Sequence, residues 1–213
     1  MNLKKSDYIE LKNGTLRQAN VISGIDYVNY WDDKKHSTYD EQKYNVNGFK
    51  HNGLTKVQSV LKYAVGNSVF EIGCSPAELL IEATKRGFYA EGIAPEYTYI
   101  ERMESESGCK VYCGFFPQTK PDKKFDTIIS MDVFEHIEDG RAFINGCFDI
   151  LNENGRLILM SPFIYSDGLF DEKNFIDEHI WIYHENHLKD WLKPIIFDRW
   201  IVGHEIIVIE NKL

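Results

Sequence analysis

A chain of 213 residues suits one domain with a full core rather than two, and 43% hydrophobic with 27% charged residues is ordinary for a soluble globular protein. The formal charge of −9 weighs against a nucleic-acid surface, which wants clustered Lys and Arg. No apolar run approaches the ~20 residues of a membrane span and the N-terminal stretch MNLKKSDYIELKNG has no signal-peptide core, so the expectation is a cytoplasmic protein, monomer or homodimer, without nucleic-acid or membrane partners.

In chain order, residues 1–66 are polar and aromatic, with no strong strand before Ser68. They are expected to form a helical cap or lid segment. The stretch from Tyr27 to Tyr44 reads as loop and short helix, with Tyr27, Tyr30 and Trp31 either a lid or packing for the first helix. Lys56 to Val65 has helical spacing through Val57, Val60, Leu61 and Ala64. From Ser68 to Phe163, the apolar runs SVFEIG, FYAEGI, KVYCG, FDTIIS and RLILMSP read as strands, separated by helical stretches such as AELLIEATKRG and RAFINGCFDILNENG. Gly87 and Asn154-Gly155 read as helix stops. Strand and helix alternating at this rhythm imply βα units and a parallel sheet buried on both faces.

After an excursion, SDGLFDEKNFIDEHIWIYHENH, a helix runs near His187 to Lys193 and stops before Pro194. IIFDRWIV and EIIVIE, joined by Gly203-His204, then form an antiparallel hairpin, because two residues cannot make a parallel crossover. Cys74, Cys109, Cys113 and Cys147 lack CxxC spacing and read as buried free thiols in a reducing compartment.

The first strand-to-helix junction, Val69 to Leu80, carries the chemistry. Gly73 lets a ligand approach the backbone, and Ser75-Pro76-Ala77-Glu78 has the form of a capping box opening a helix. Such a junction aims free N–H groups and a positive helix end at the crevice, although alone it also reads as an ordinary βα turn. With EIGCSPAELL stand the strand GIAPE, the segment FDTIISMDVFEHIED and the segment LNENGRLILMSP, in that order. Together these four resemble class I S-adenosylmethionine-dependent methyltransferases, in particular a broad bacterial small-molecule family with an EHI-type motif after strand four.

The resemblance implies a Rossmann-like α/β fold with a mostly parallel seven-stranded sheet, a C-terminal antiparallel hairpin and an N-terminal helical cap. It divides the chain into the 1–66 cap and a methyltransferase domain over 67–213. It implies S-adenosylmethionine as cofactor and S-adenosylhomocysteine as product, with the cofactor over the carboxyl ends of the first strands. Glu71 and the loop Gly73-Cys74-Ser75 match the positions that hold its methionine end. Ala94 stands where an acid on the ribose is usual, and Glu96, two residues on, is the candidate substitute. Phe115 or Phe116 covers the adenine, unless both are core, and Met131 and Asp132 border the cofactor.

Glu135, His136 and His179 are the catalytic candidates, with a histidine as base for a hydroxyl acceptor; the alternative for Glu135 and His136 is a loop fixed by their hydrogen bonds. No metal is assigned, since HENH at residues 184–187 is not the HExxH of zinc proteases. The expected activity is O- or N-methylation of a small molecule, with a sugar or glycan precursor suggested by family analogy. The alternative is a non-catalytic binding protein that has kept the fold and lost the cofactor site, for which Ala94 and the missing glycines speak.

Overall fold

The structure, a computed structural model, describes residues 3–21, 56–201 and 204–212. Its centre is a sheet of β3 (Ser68–Ile72), β4 (Tyr89–Ala94), β5 (Lys110–Cys113), β6 (Phe125–Met131), β7 (Leu151–Ile164), β9 (Ile196–Ile201) and β10 (His204–Glu210). The spatial order is β5-β4-β3-β6-β7-β10-β9; β10 lies antiparallel to both neighbours, and the pairs from β5 to β7 are parallel. This is the expected seven-stranded, mostly parallel sheet with an antiparallel C-terminal pair.

The sequence rhythm has a direct cause in this architecture. Val69, Ile129, Ile158, Ile206 and Val208 face one buried cluster, and Phe70, Ile72, Ile128, Leu157, Leu159 and Ile207 face another. Both faces of the central strands β3 and β6 are therefore buried, so these strands read as unbroken apolar runs. The first face is covered by the helical residues 56–61, α1 (Glu78–Lys85) and α2 (Ile100–Ser107) through residues such as Val57, Val60, Leu80, Ala83 and Met103. The second is covered by α3 (Gly140–Asp149) and α4 (Glu185–Leu192) through Phe143, Cys147, Leu188 and Leu192.

Several sequence expectations need correction. Two short strands, β1 (Tyr8–Glu10) and β2 (Leu16–Gln18), precede Ser68, and a further strand, β8 (Trp181–His184), lies inside the excursion. β1 pairs with β2, β2 with β8, and β8 with the last residues of β7, so residues 8–18 are stitched edge-on to the domain beyond. Three or four residues are too few to show a period; only Tyr8, Leu16 and Ile182, buried with Phe175, mark them. The helical cap expected over 1–66 is thus a hairpin at its described start and a helix at its described end, while Tyr27, Tyr30, Trp31 and Gly203 lie outside the described residues.

Asn154-Gly155 does not close a helix. α3 ends at Asp149, and β7 begins at Leu151, which is buried beside Phe125; the register then shifts so that Arg156 faces Thr127. Asn154 takes a left-handed conformation (φ 59°) within that shift. Gly87 stops α1 as expected, at φ 88°.

At the opposite end of the sheet from the crevice, Asp126 of β6 gathers three chain segments. Its carboxylate accepts from Asn67 N (2.8 Å), Ser68 N (3.1 Å), Ser68 Oγ (2.9 Å) and Asn152 Nδ2 (2.8 Å). Burial opposes its charge, but these hydrogen bonds outweigh it and hold the carboxyl below its ordinary range. Asp126→Ala is expected to cost about 1.5–3 kcal/mol, the scale of hydrogen bonds to a charged group, measured by urea denaturation at pH 7. Because the folded-state value is depressed, this stabilisation is present above the unfolded carboxylate range and lost as pH falls through the folded value, so the gap between the two proteins closes in acid.

Candidate active site

β3 is hydrogen-bonded to β4 on one side and β6 on the other; the chain leaves β3 for α1 on one face of the sheet and leaves β6 for α3 on the other. The carboxyl ends of β3, β4, β5 and β6 therefore open onto a crevice at the switch point of the sheet. Gly73 N and Cys74 N both donate to the Ile93 carbonyl (2.9 and 3.1 Å), and Gly114 N donates to that of Ala94 (3.0 Å), which aligns the three loops side by side. Gly73 has φ 81°, and a Cβ there would lie 2.4 Å from Val133 Cγ2. Both its conformation and its closeness to the loop after β6 demand glycine.

Two buried carboxylates face this loop. Glu71 is 2% exposed and its Oε2 has no hydrogen-bond partner among the described residues. Burial, with the charge of Glu78 second, pushes its carboxyl well above the ordinary range. Glu96 is buried as well, and burial together with the fields of Glu71 and Glu96 raises the Cys74 thiol. Glu71, Cys74 and Glu96 thus stand together, while Ala94 lies in the apolar cluster beneath them.

The remaining expected cofactor residues divide. Phe116 is core: it is 6% exposed and packs edge-on against Phe143 at 5.5 Å. Phe115 is 43% exposed. Met131 and Asp132 end β6, where Asp132 takes φ 54°, donates its N–H to the Met160 carbonyl and pairs with Lys56.

The capping box at Ser75 does not form. α1 begins at Glu78 behind Ala77, without a side-chain cap, because Glu78 N turns back to the Pro76 carbonyl (2.8 Å) and Ala77 is drawn into the core. None of the four cysteines is in a disulfide, but Cys113 is exposed rather than buried, because it ends β5 at the edge of the sheet.

The second group is Glu135, His136 and His179. Glu135 and His136 sit on the 3-10 turn Phe134–His136 that follows β6, and His179 lies in the turn before β8. Glu135 is 1% exposed; Ser161 Oγ donates to its Oε2 (2.7 Å), and its Oε1 lies 3.9 Å from His179 Nε2. The two imidazoles meet edge to face, with ring centroids 4.9 Å apart. Each Nδ1 is 2.8 Å from a backbone carbonyl, that of Glu178 for His136 and that of Asn174 for His179. A carbonyl only accepts, so each Nδ1 carries a proton, and in the neutral ring Nε2 is then the atom with the free lone pair. Burial, then His136, pushes the His179 imidazole down to about 4.

The other polar residues of the HENH stretch serve elsewhere. His184 caps α4, Glu185 accepts from Ser166 N and pairs with Lys189, and His187 stacks on Trp191. Sequence reasoning missed the supports. Tyr8 Oη lies 3.1 Å from the carbonyls of both Ile176 and His179, and Gln18 Nε2 donates to that of Asp177, so the N-terminal hairpin clamps the turn that carries His179. Ser161 left one trace, as a polar break in the apolar run LILMSPF.

The strand order and the crevice at the β3 switch point define a Rossmann-like fold of the class I methyltransferase type. Residues 22–195 match the sequence pattern of the methyltransferase domain family, and the chain belongs to that family. The ubiquinone biosynthesis O-methyltransferase of Bradyrhizobium sp. (strain ORS 278) is 26% identical over 99 residues, 44% of this chain and 39% of that protein. Its namesake from Xanthomonas euvesicatoria pv. vesicatoria (strain 85-10) is 26% identical over 149 residues, 64% of this chain and 61% of that protein. The match thus spans between two fifths and three fifths of the length of these curated relatives.

Among solved structures, magnesium protoporphyrin IX methyltransferase from Synechocystis PCC 6803 with bound S-adenosylhomocysteine aligns at TM-score 0.67 and 16% identity, over 87% of this chain and 98% of that one. The N-methyltransferase NodS from Bradyrhizobium japonicum WM9 aligns at 0.64 and 14%, over 86% and 97%. These two likenesses concern the fold. Among the described residues no helix is long and apolar enough to cross a membrane.

The close approach of Gly73 to Val133 yields a sharp test. Gly73→Ala is expected to weaken S-adenosylhomocysteine binding at least about tenfold, since even one methyl group must displace the loop after β6 and left-handed alanine costs about 1–2 kcal/mol. Calorimetric titration checks this, with a cooperative thermal melt showing that the variant still folds.

Proposed function

We propose that the chain transfers the methyl group of S-adenosylmethionine to a hydroxyl of a small molecule, a class that includes sugar and glycan-precursor acceptors. The observation that carries this reading is the buried Glu135–His136–His179 group, set beside the Gly73 loop through Val133. The relatives named as O-methyltransferases support the choice of oxygen.

The residues present fit the cofactor. Glu71 Oε2, without a hydrogen-bond partner among the described residues, suits an ammonium donor, and Glu96 suits a ribose diol. Phe115, exposed after β5, is the residue available to an adenine face. When bound, S-adenosylmethionine supplies a methyl carbon on a sulfonium, open to in-line attack. The chain's part is mainly alignment, because holding nucleophile and carbon in near-attack geometry supplies much of the barrier reduction. The attacking hydroxyl must also lose its proton, and the Nε2 lone pairs of two neutral imidazoles are the acceptors available beside the crevice. The four thiols, none in a disulfide, suit a reducing, cytoplasmic setting.

The test is turnover with S-adenosylmethionine against a panel of phenols, catechols, sugar alcohols and amines, read by mass spectrometry. The expected product is an O-methylated small molecule. His179→Ala should lower kcat by about 10²–10⁴-fold with S-adenosylhomocysteine affinity intact. Methylation of amines alone, with His179→Ala as active as the parent, would refute the reading.

A further inference from the structure

Glu135, His136 and His179 bring metal-ligand atoms together from two separate segments of the chain. One carboxylate oxygen and one nitrogen from each ring lie within 4.8 Å of one another. The backbone carbonyls of Glu178 and Asn174 take the Nδ1 protons, so each Nε2 is the nitrogen left to bind a ligand. Ser161 takes one oxygen of Glu135, which leaves Oε1 directed towards His179. At 3.9 Å, Oε1 and His179 Nε2 are too far apart for a hydrogen bond. A carboxylate oxygen and two ring nitrogens thus come together, with Glu135 and His179 buried and His136 half-buried. A cation is a suitable occupant for such a cluster of donor atoms.

We propose that Glu135, His136 and His179 bind one divalent first-row metal ion of the zinc type. Two imidazoles and one carboxylate are a ligand set that zinc accepts, leaving a position open for a further oxygen. Bonds of about 2.0–2.2 Å set ligand atoms about 3–4 Å apart, so shifts of under about 1 Å bring the group onto one ion. The surroundings have the form such sites require. Each imidazole is oriented by a carbonyl on its other nitrogen, and the carboxylate is held by Ser161. Sequence spacing hid the set, because two ligands are adjacent after β6 and the third arrives on the turn before β8, where Tyr8 clamps it.

The role of the ion rests on the O-methylation reading: an acceptor hydroxyl on the open position would have its pKa lowered by the cation and would give its proton to solvent water, the two imidazoles then serving as ligands and not as bases. The binding itself does not depend on that reading. The experiment is calorimetric titration of the chelator-stripped full chain with Zn²⁺, and Co²⁺ absorption in the visible as an independent report of nitrogen and oxygen ligation. One ion per chain is expected. His179→Ala and Glu135→Gln should each weaken binding at least about 100-fold, and Ser161→Ala, which removes only the orienting hydroxyl, about 10- to 100-fold. If a buried ligand variant fails to fold, the half-buried His136→Ala and Ser161→Ala carry the test, with S-adenosylhomocysteine affinity as the measure of an intact crevice.

Absence of Zn²⁺ binding in the folded parent, or equal binding by parent and variants, would overturn the proposal. O-methylation that persists undiminished in chelator-stripped protein would overturn the catalytic role of the ion while leaving the proposed function standing. Specific Zn²⁺ binding without any O-methyl transfer would do the reverse.

Discussion

The molecule depends on the position of β3, a strand paired in parallel with β4 on one side and with β6 on the other. The segments after β3 and β6 lead to helices on opposite faces of the sheet, so beyond the contact of Gly73 with Val133 their loops diverge at its carboxyl end. Around that gap stand Glu71 within β3, Gly73 just beyond it, Glu96 after β4, and Asp132, Glu135 and His136 after β6, while His179 is brought in on the turn before β8. At the other end of the same strands, Asp126 binds the start of β3 to β6 and to the bend of β7. One end of the sheet is closed by hydrogen bonds and the other is held open by topology.

The open end concentrates negative charge where burial disfavours it. Glu71 and Glu135 are buried carboxylates whose pKa values are raised, in each case chiefly by desolvation. Folding alone gains little from such groups, because an acid without a matched partner is costly to keep out of water. A ligand bearing an ammonium and a sulfonium would relieve that cost in one part of the crevice, and the proposed divalent ion would relieve it in the other. Stability given up in the empty fold then reappears as affinity, which is why the buried acids mark the site more sharply than any exposed residue does.

The parts legible in the sequence were those whose physics is local. Strands buried on both faces write themselves as apolar runs, and the left-handed glycine after α1 marks a true helix end. Gly73, Glu71 and the Glu135-His136 pair could be singled out because each follows a readable strand. The illegible parts were tertiary. The three-residue strands β1 and β2 have no period to read, and their meaning lies in what they touch: Tyr8 and Gln18 fix the turn of His179 from the far end of the chain. Asn154 looked like a helix stop because left-handed asparagine ends helices, but here it serves a register shift in β7. The meeting of His136 with His179 depends on β8 adding to the end of β7, a pairing that no spacing in the sequence announces.

The central claim is that the β3 switch point, with Glu71 and Gly73, is a working site for S-adenosylmethionine rather than the remnant of one. Titration calorimetry of the full chain with S-adenosylmethionine and with S-adenosylhomocysteine measures this most directly. The account expects saturable binding of both at one site per chain, weakened in Glu71→Gln, which removes the acid facing the ammonium. No heat from either ligand, or equal affinity in the parent and in a folded Glu71→Gln variant, would contradict it.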